Sequence, residues 1–366
     1  MCDFLPNKSG KFFLCVAGTE TSDIPGISAA GSSPESRRLT PALDAEALID
    51  GRAHSCSSVP VSPRGIVSPV VITRACLQMI GMPIEIVDCG TFSPPQVSAK
   101  RVGSKPSGSV SSGHALSLEE VQHLFEAGKK AGAAVCEEFD YVVLGECVPG
   151  GTTTALAVLT ALGWNVSGML SSSTPVPQHD LKYSLVSIGL ERAGLLGRHG
   201  SPPPLTAVAA VGDPMQPFVA GFALTAMEKI PVILAGGSQM LAVFALMKAL
   251  SKAMDNETRP RHLPIVVTTK WVAFDPGAKS SQLASMISAP YMAACPDFHQ
   301  SMHPGLQAYE EGNVKEGVGA GAALFLAHAQ GRFTETQILR SIDRVYLELV
   351  GNSGAQAEHN LAPAST

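Results

Sequence analysis

The chain is short of charge. Only 16% of its 366 residues are Asp, Glu, Lys or Arg, the formal net charge is −5 and the pI is near 6.1. That balance leaves no electrostatic footprint for nucleic acid. An unbroken apolar run of membrane-spanning length is also missing. The most weakly charged stretch, Leu205 to Met227, is interrupted by Gly212-Asp213-Pro214 and Pro217, so no membrane partner is expected. No basic segment precedes an apolar one near Met1, and no secretory signal is expected. Cys2, Cys15, Cys56, Cys76, Cys89, Cys136, Cys147 and Cys295 form no C-x-x-C. They read as reduced, mostly buried thiols of a cytoplasmic protein. With no H-E-x-x-H and no tight His/Cys/Asp cluster in the sequence, neither a metal nor another cofactor is expected.

What the chain does have is glycine, proline and apolar residues in alternating blocks. Apolar residues make up 45%, with 35 Gly and 27 Pro, as in a compact α/β enzyme with many tight turns. Strand signals occur at 11–16, 83–88, 139–144, 205–211, 231–234 and 264–268. Helical patterns follow several of them, at 155–162, about 217–228 and about 238–253. Ser117-Leu118-Glu119-Glu120 opens a further helix as a capping box, running to about Val135. Residues from about 17 to 66 read as ordered loop and short helix, and 93–113, rich in Ser, Gly and Pro, as a mobile loop.

Continuous apolar strands alternating with helices imply a three-layer α/β/α, doubly wound, mostly parallel sheet. One domain is expected over 1–350. Its core sheet spans about 83–275, a smaller helical part comes from about 20–80 and 285–350, and 352–366 form a frayed tail. There is no internal repeat.

Ligands of such sheets sit at the carboxyl ends of strands, and two segments there carry chemistry. After the run Phe139 to Leu144 comes Gly145-Glu146-Cys147-Val148-Pro149-Gly150-Gly151-Thr152-Thr153-Thr154, then the helical run from Ala155. Strand, glycine turn and helix start converge backbone N–H groups and a helix dipole on one point, which favours an anion. A nucleotide-triphosphate loop would carry Lys where Gly151 stands, so a monophosphate fits better than ATP. Asp213, after the 205–211 run, and Gly236 and Gly237, after Ala235, are placed as further nucleotide contacts by the same strand-end argument. The second segment is Lys315-Glu316-Gly317-Val318-Gly319-Ala320-Gly321-Ala322. Gly317, Gly319 and Ala322 formally satisfy a dinucleotide fingerprint, but no apolar strand precedes them and no second β-α-β half follows. What remains is a glutamate just ahead of a small-residue helix start.

Together with Val16-Ala17-Gly18-Thr19-Glu20-Thr21 and Ile24 to Gly31, these segments resemble the nicotinate-nucleotide:dimethylbenzimidazole phosphoribosyltransferases of cobamide lower-ligand assembly. More specifically, they resemble the archaeal and cyanobacterial branch, long carried as an uncharacterised family. The likeness runs to about residue 350. It implies phosphate binding by Gly150, Gly151, Thr152 and Thr153, with Lys182 as counter-charge. It also implies Glu316 as catalytic base, Gly317 and Gly319 beside it, Glu146 at the ribose, and a base pocket around Ser68, Pro69 and Thr73. It implies no cofactor and a homodimer. The chain departs from the bacterial G-E-M-G-I-G-N-T-T at Cys147, Val148, Pro149 and Gly151, and from a bacterial Asp-Gly-Phe at Ala235-Gly236-Gly237.

The chemistry agrees with the resemblance. Where the ribosyl C1′ is bonded to a pyridinium nitrogen, the leaving group departs neutral at that nitrogen and needs no general acid, so one base suffices, with general-base assistance worth about 10²–10⁴-fold. Direct displacement inverts a β-nucleotide to an α-riboside. Competing readings are plain: Glu316 as a helix cap, Glu146 as a loop or capping carboxylate, Lys182 as a surface lysine, and Ser68 to Arg74 as ordinary helix packing. Two other classes remain open, a non-catalytic nucleotide-binding regulator and a dinucleotide-dependent oxidoreductase.

Overall fold

The computed structural model describes residues 8–359 apart from 57–61, 63–65, 104, 198–199, 254–260 and 331–332, with 351–359 described as backbone alone. The first strand, β1 (Gly10–Ala17), shows why the sheet is covered on both faces. Phe12, Leu14 and Val16 enter one apolar core and Phe13, Cys15 and Ala17 the other, and none is more than 4% exposed. A strand apolar at every position is stable only between two layers of helices.

In chain order the elements are α1 (Pro34–Asp50), α2 (Val70–Ile80), β2 (Ile84–Gly90), β3 (Ala99–Arg101), α3 (Leu118–Val135), β4 (Tyr141–Cys147) and α4 (Gly151–Ala161). Then come α5 (His179–Arg192), α6 (Pro204–Val211), α7 (Met215–Ala226), β5 (Val232–Ala235), α8 (Ser238–Ala253) and β6 (Ile265–Thr269). The last are α9 (Lys270–Ala273), α10 (Ser280–Ile287), β7 (Tyr291–Ala294), α11 (Pro304–Gln307), α12 (Ala320–Ala329) and α13 (Glu335–His359). The strands form one seven-stranded sheet in the order β3-β2-β1-β4-β5-β6-β7, every neighbouring pair parallel. The expected three-layer α/β/α architecture is therefore the observed one. Order reverses between β1 and β4, and the crevice at their carboxyl ends is where such sheets take ligands.

The core residues of α3, α4 and α6 to α8 pack on one face of the sheet, those of α1, α2, α12 and α13 on the other. The smaller helical part expected from 20–80 and 285–350 is thus the second layer of the sandwich. The sheet also reaches beyond 83–275 to take in β1 and β7.

Other expectations are corrected. Residues 205–211 form helix α6 where a strand was expected. Pro sits in its first turn, the run is rich in alanine, and a short apolar run buried all round carries no period to separate strand from helix. Gly212-Asp213 therefore ends a helix. The 93–113 segment is not a mobile loop. It supplies β3, which pairs Ile86 to Ala99 and Asp88 to Arg101, and it is anchored where Ser107 N–H donates to the Gly18 carbonyl at 3.0 Å and Val110 N–H to Thr21 Oγ1 at 2.9 Å. Within 17–66, α1 is 17 residues long, opened by a Ser33/Ser36 capping box and carrying Pro41 inside. The α3 capping box is present as read, Ser117 with Glu120. Helix α13 continues through 352–359, where a tail was expected, and 360–366 lie outside the described residues. Among the described residues no helix is long and apolar enough to cross a membrane.

Candidate active site

At the β1/β4 switch point lies a cavity enclosing about 900 Å3 of space including its open mouth, within the range of small-molecule sites. Its walls come from distant parts of the chain: residues 27–30 and α1, the start of α2, the end of β4 with the first turn of α4, the serines 171–173, the start of α8, and 314–318. Ser173 ties three of these together. Its Oγ accepts from Ala29 N–H at 3.1 Å and its carbonyl from Val314 N–H at 3.0 Å.

Strand β4 runs past the expected Leu144, which places Glu146 on its last turn of pleat, 4% exposed. Glu146 Oε2 accepts from Gln239 Nε2 at 2.8 Å and from Val148 N–H at 3.2 Å. Burial, then repulsion from Glu316 and Asp213, pushes its carboxyl up to about 8, which favours its neutral form at pH 7. Gly151 makes the Gln239 contact possible. A Cβ at Gly151 would collide with the Gln239 side chain, so the absence of Asn here leaves room for a glutamine that holds Glu146. Gln239 Oε1 has no hydrogen-bond partner.

Glu316 precedes α12 and is held by four donors. Oε2 accepts from Thr269 N–H at 2.8 Å and Thr268 Oγ1 at 3.1 Å, and Oε1 from the N–H groups of Gly317 and Gly321, each at 3.2 Å. Gly321 permits this geometry. A methyl group there would strike the Thr268 backbone, so α12 rests its first turn directly on β6. Capping and poising are therefore combined in one side chain. The donors lower the carboxyl's pKa, but burial outweighs them and pushes it up to about 7. Glu316 keeps a half-buried edge on the cavity, and Val318 N–H donates to the Glu146 carbonyl at 2.9 Å, locking the two glutamate loops together. The pair repels, so its first proton leaves near 7, mainly from Glu316.

The cationic wall is built by Lys182 and Lys315. Lys182 is 2% exposed, which removes the surface-lysine reading, and its Nζ donates to Thr152 Oγ1 at 2.8 Å. Burial, then the charge of Lys315, pushes Lys182 down to about 8, with Asp275 opposing. Lys315 is paired with Asp275 at 2.6 Å. In the glycine turn several amides are already engaged: Gly151 N–H donates to the Val148 carbonyl at 2.8 Å and Thr153 N–H to that of Gly150 at 2.9 Å. Those amides are thus engaged within the turn, and the Thr152 and Lys182 side chains stand beside it.

Of the residues singled out from sequence, Glu146, Gly150, Gly151, Thr152, Gly237, Glu316, Gly317, Ser68 and Pro69 line the cavity. Lys182 reaches its wall through Thr152. Others do not come to it. Asp213 is fully buried outside it, where it accepts from Thr154 Oγ1 and caps α7 through Met215 N–H at 3.1 Å; it follows a helix rather than a strand, so the strand-end argument did not apply. Thr153 is also fully buried. Gly319 caps α12 against Phe12 and Ala235, Gly236 abuts the Glu146 side chain, and Thr73 donates to the Val318 carbonyl at 3.1 Å. Residues missed by sequence reasoning are Asp44, Gln239, Lys315, Asp275 and the serines 171–173. Lys315 stood beside Glu316 and the triple serine was a visible polar run; the other three had no local signal. Among the described residues one group of possible metal ligands, Asp297, His299 and Glu310, comes together outside the cavity. Glu310 there already binds Lys270 at 2.8 Å and Trp271 Nε1 at 3.1 Å.

With this geometry in hand, the chain compares as follows. A profile of the phosphoribosyltransferase family matches residues 71–259. A UPF0284 protein of Gloeobacter violaceus is 45% identical over 333 residues, covering 90% of this chain and 86% of its own. Another from Trichodesmium erythraeum is 42% identical over 343 residues, covering 92% and 93%. Among solved structures, a nicotinate-nucleotide-dimethylbenzimidazole phosphoribosyltransferase from Thermus thermophilus is similar with a TM-score of 0.58 at 15% identity, covering 95% of this chain and 87% of its own. CobT from the same organism gives 0.59 at 17%, with the same coverage. At that identity the structural likeness bears on the fold alone. On the profile and the relatives together, this chain belongs to the phosphoribosyltransferase family as a UPF0284 protein.

Proposed function

We infer that the protein transfers a phosphoribosyl group from nicotinate mononucleotide to a flat aromatic base of the benzimidazole type, yielding nicotinate and an α-riboside 5′-phosphate for cobamide lower-ligand assembly. The observation that carries this is a glutamate poised near neutral pH, Glu316, in one cavity with a buried lysine wall. A base and an anion site are what the reaction requires of a protein.

In the proposed reaction the ring nitrogen of the base attacks C1′ from the face opposite nicotinate. The C1′–N bond to the pyridinium breaks with its electron pair passing to nitrogen, so nicotinate departs neutral at that atom. Glu316 takes the N–H proton of the attacking ring. Its Oε1, held by the two longer hydrogen bonds, is the less engaged oxygen and the one we assign as acceptor. The remaining negative charge near the ribose stabilises an oxocarbenium-like transition state. Neutral Glu146 and the unpartnered Gln239 Oε1 offer a donor and an acceptor for ribose hydroxyls. Thr152, Lys182, Lys315 and the Gly150–Gly151 turn take the 5′-phosphate. The working unit is a homodimer in this reading, to be checked by sedimentation.

The test is nicotinate release by purified protein with a panel of benzimidazoles and adenine, beside Glu316→Gln. Base-dependent release of an α-riboside phosphate, reduced about 10²–10⁴-fold in kcat by the substitution, is expected. Nucleotide binding with no release for any acceptor would sink the transferase reading and leave a nucleotide-binding regulator.

A further inference from the structure

A third carboxyl lines the cavity, and the reaction as written makes no use of it. Asp44, on α1, is 2% exposed. Its Oδ2 accepts from Cys147 Sγ at 3.2 Å, a weak donor. Its Oδ1 makes no hydrogen bond of ordinary geometry, the Ser68 hydroxyl being the other donor that acts on the carboxyl. Buried carboxyl oxygens are ordinarily satisfied, and one left bare calls for an explanation. Burial pushes this carboxyl up to about 7 against the opposing pull of the Ser68 hydroxyl and the Cys147 thiol, and because Glu146 and Cys147 alternate along β4, Asp44 reaches the cavity from the α1 side, away from the Glu146 side chain.

The walls on that side are otherwise apolar or already occupied. Ile27, Ile66, Pro69 and Val318 supply flat hydrocarbon. Thr40 shares the wall, but its hydroxyl donates to the carbonyls of Ala30 and Ser36. A planar ring slid between these walls, with its N–H nitrogen at Glu316 and its other ring nitrogen toward C1′, brings its far edge toward the bare oxygen of Asp44. A methyl group on that edge would seal Oδ1 away from water with no donor, whereas an N–H or O–H would satisfy it. Sites built around a buried polar group discriminate strongly against ligands that leave it unpaired.

We propose that Asp44 determines acceptor specificity by taking a hydrogen bond from an N–H or O–H on the ring edge remote from the attacking nitrogen, so that the preferred acceptor is an amino- or hydroxyl-bearing bicyclic base rather than a methylated one. The proposal rests on the phosphoribosyl-transfer reading for its substrate and deepens it.

The experiment uses the full chain with two acceptors of nearly equal size, aminobenzimidazole and methylbenzimidazole. Nicotinate release gives kcat/KM for each, and calorimetry gives binding without turnover. The wild type should favour the amino compound on the order of 10- to 100-fold. Asp44→Leu should bring that ratio close to one, while Asp44→Asn, which keeps an acceptor oxygen in nearly the same volume, should retain part of it. Because the readout is a ratio within each variant, a general loss of active protein does not imitate the result; if the leucine variant does not fold, the asparagine variant's partial retention against the wild type carries the comparison. Equal or reversed preference in the wild type, or a parallel loss for both acceptors in the variants, overturns the proposal. If no acceptor supports nicotinate release, the transfer reading falls by itself. Calorimetry then decides: selective binding of the amino compound that disappears in Asp44→Leu upholds Asp44 as the donor-reading group, and equal or absent binding overturns it.

Discussion

Glu316 and Lys182 are displaced from their ordinary titration in opposite directions by one cause, burial, the acid upward to about 7 and the base downward to about 8. Two measurements follow from the signs. As the proposed base, Glu316 would act only when ionised, so kcat/KM should climb with pH up to about 7 and level off beyond it, a limb that Glu316→Gln should remove. Lys182 is partly deprotonated near pH 8, and a phosphate placed against it restores the charged form. Nucleotide binding at pH 8 should therefore take up a proton, seen by calorimetry in buffers of differing ionisation enthalpy, and Lys182→Met should lose that uptake. Glu316 stood out in sequence because it sits just ahead of a glycine-rich helix start, and Lys182 only through the family resemblance. Gln239 and Asp275 did not, since their partners Glu146 and Lys315 lie 93 and 40 positions away, and only folding brings such pairs together.

At the scale of elements, α12 is the piece on which the site depends most. Its first turn lies against β6 because Gly321 has no side chain, and the same amide holds Glu316. Gly321→Ala should force the helix off the strand, costing about 1–3 kcal/mol in chemical denaturation and lowering activity more than the stability loss explains, because Glu316 loses a donor and its register. A Gly321→Ala protein with full activity would contradict this arrangement. The buried strands β1, β4, β5 and β6 could be read from sequence because each is a continuous apolar run. Strand β3, with Lys100 and Arg101, and β7, only four residues at the other edge, carry too little apolar pattern to be told from loop. In α1 the opposite error arose: Pro41 and the preceding Gly/Ser run look like loop, yet the capping box and packing on α2 hold 17 residues in a helix.

For the molecule as a whole, four buried acids share a raised pKa: Asp44 and Glu316 at about 7, Glu146 at about 8 and Asp213 at about 6. In the unfolded chain each ionises near 4. Between about 4 and 8 the folded state thus binds more protons than the unfolded one, and stability falls as pH rises through that window, then flattens. Below it, carboxylates such as Glu46 and Glu120, held low by hydrogen bonds despite opposing burial, work in the reverse sense. Thermal melts should show a maximum near pH 4 and a decline toward 8. Asp213→Asn, outside the cavity, should flatten the lower part of that decline, by roughly 2–3 kcal/mol in all.

The spread of the cavity wall from residue 27 to residue 318 also has a meaning in time. A ribosome makes this chain from one end, and the wall's last piece, with Glu316 and the Val318 amide that steadies Glu146, emerges after β7 and all that precedes it. A nascent chain halted before residue 316 already carries the buried strands and the lysine of α5 but lacks the glutamate proposed as proton acceptor. Such chains should release no nicotinate, and activity during synthesis should switch on in a single step instead of accumulating with length.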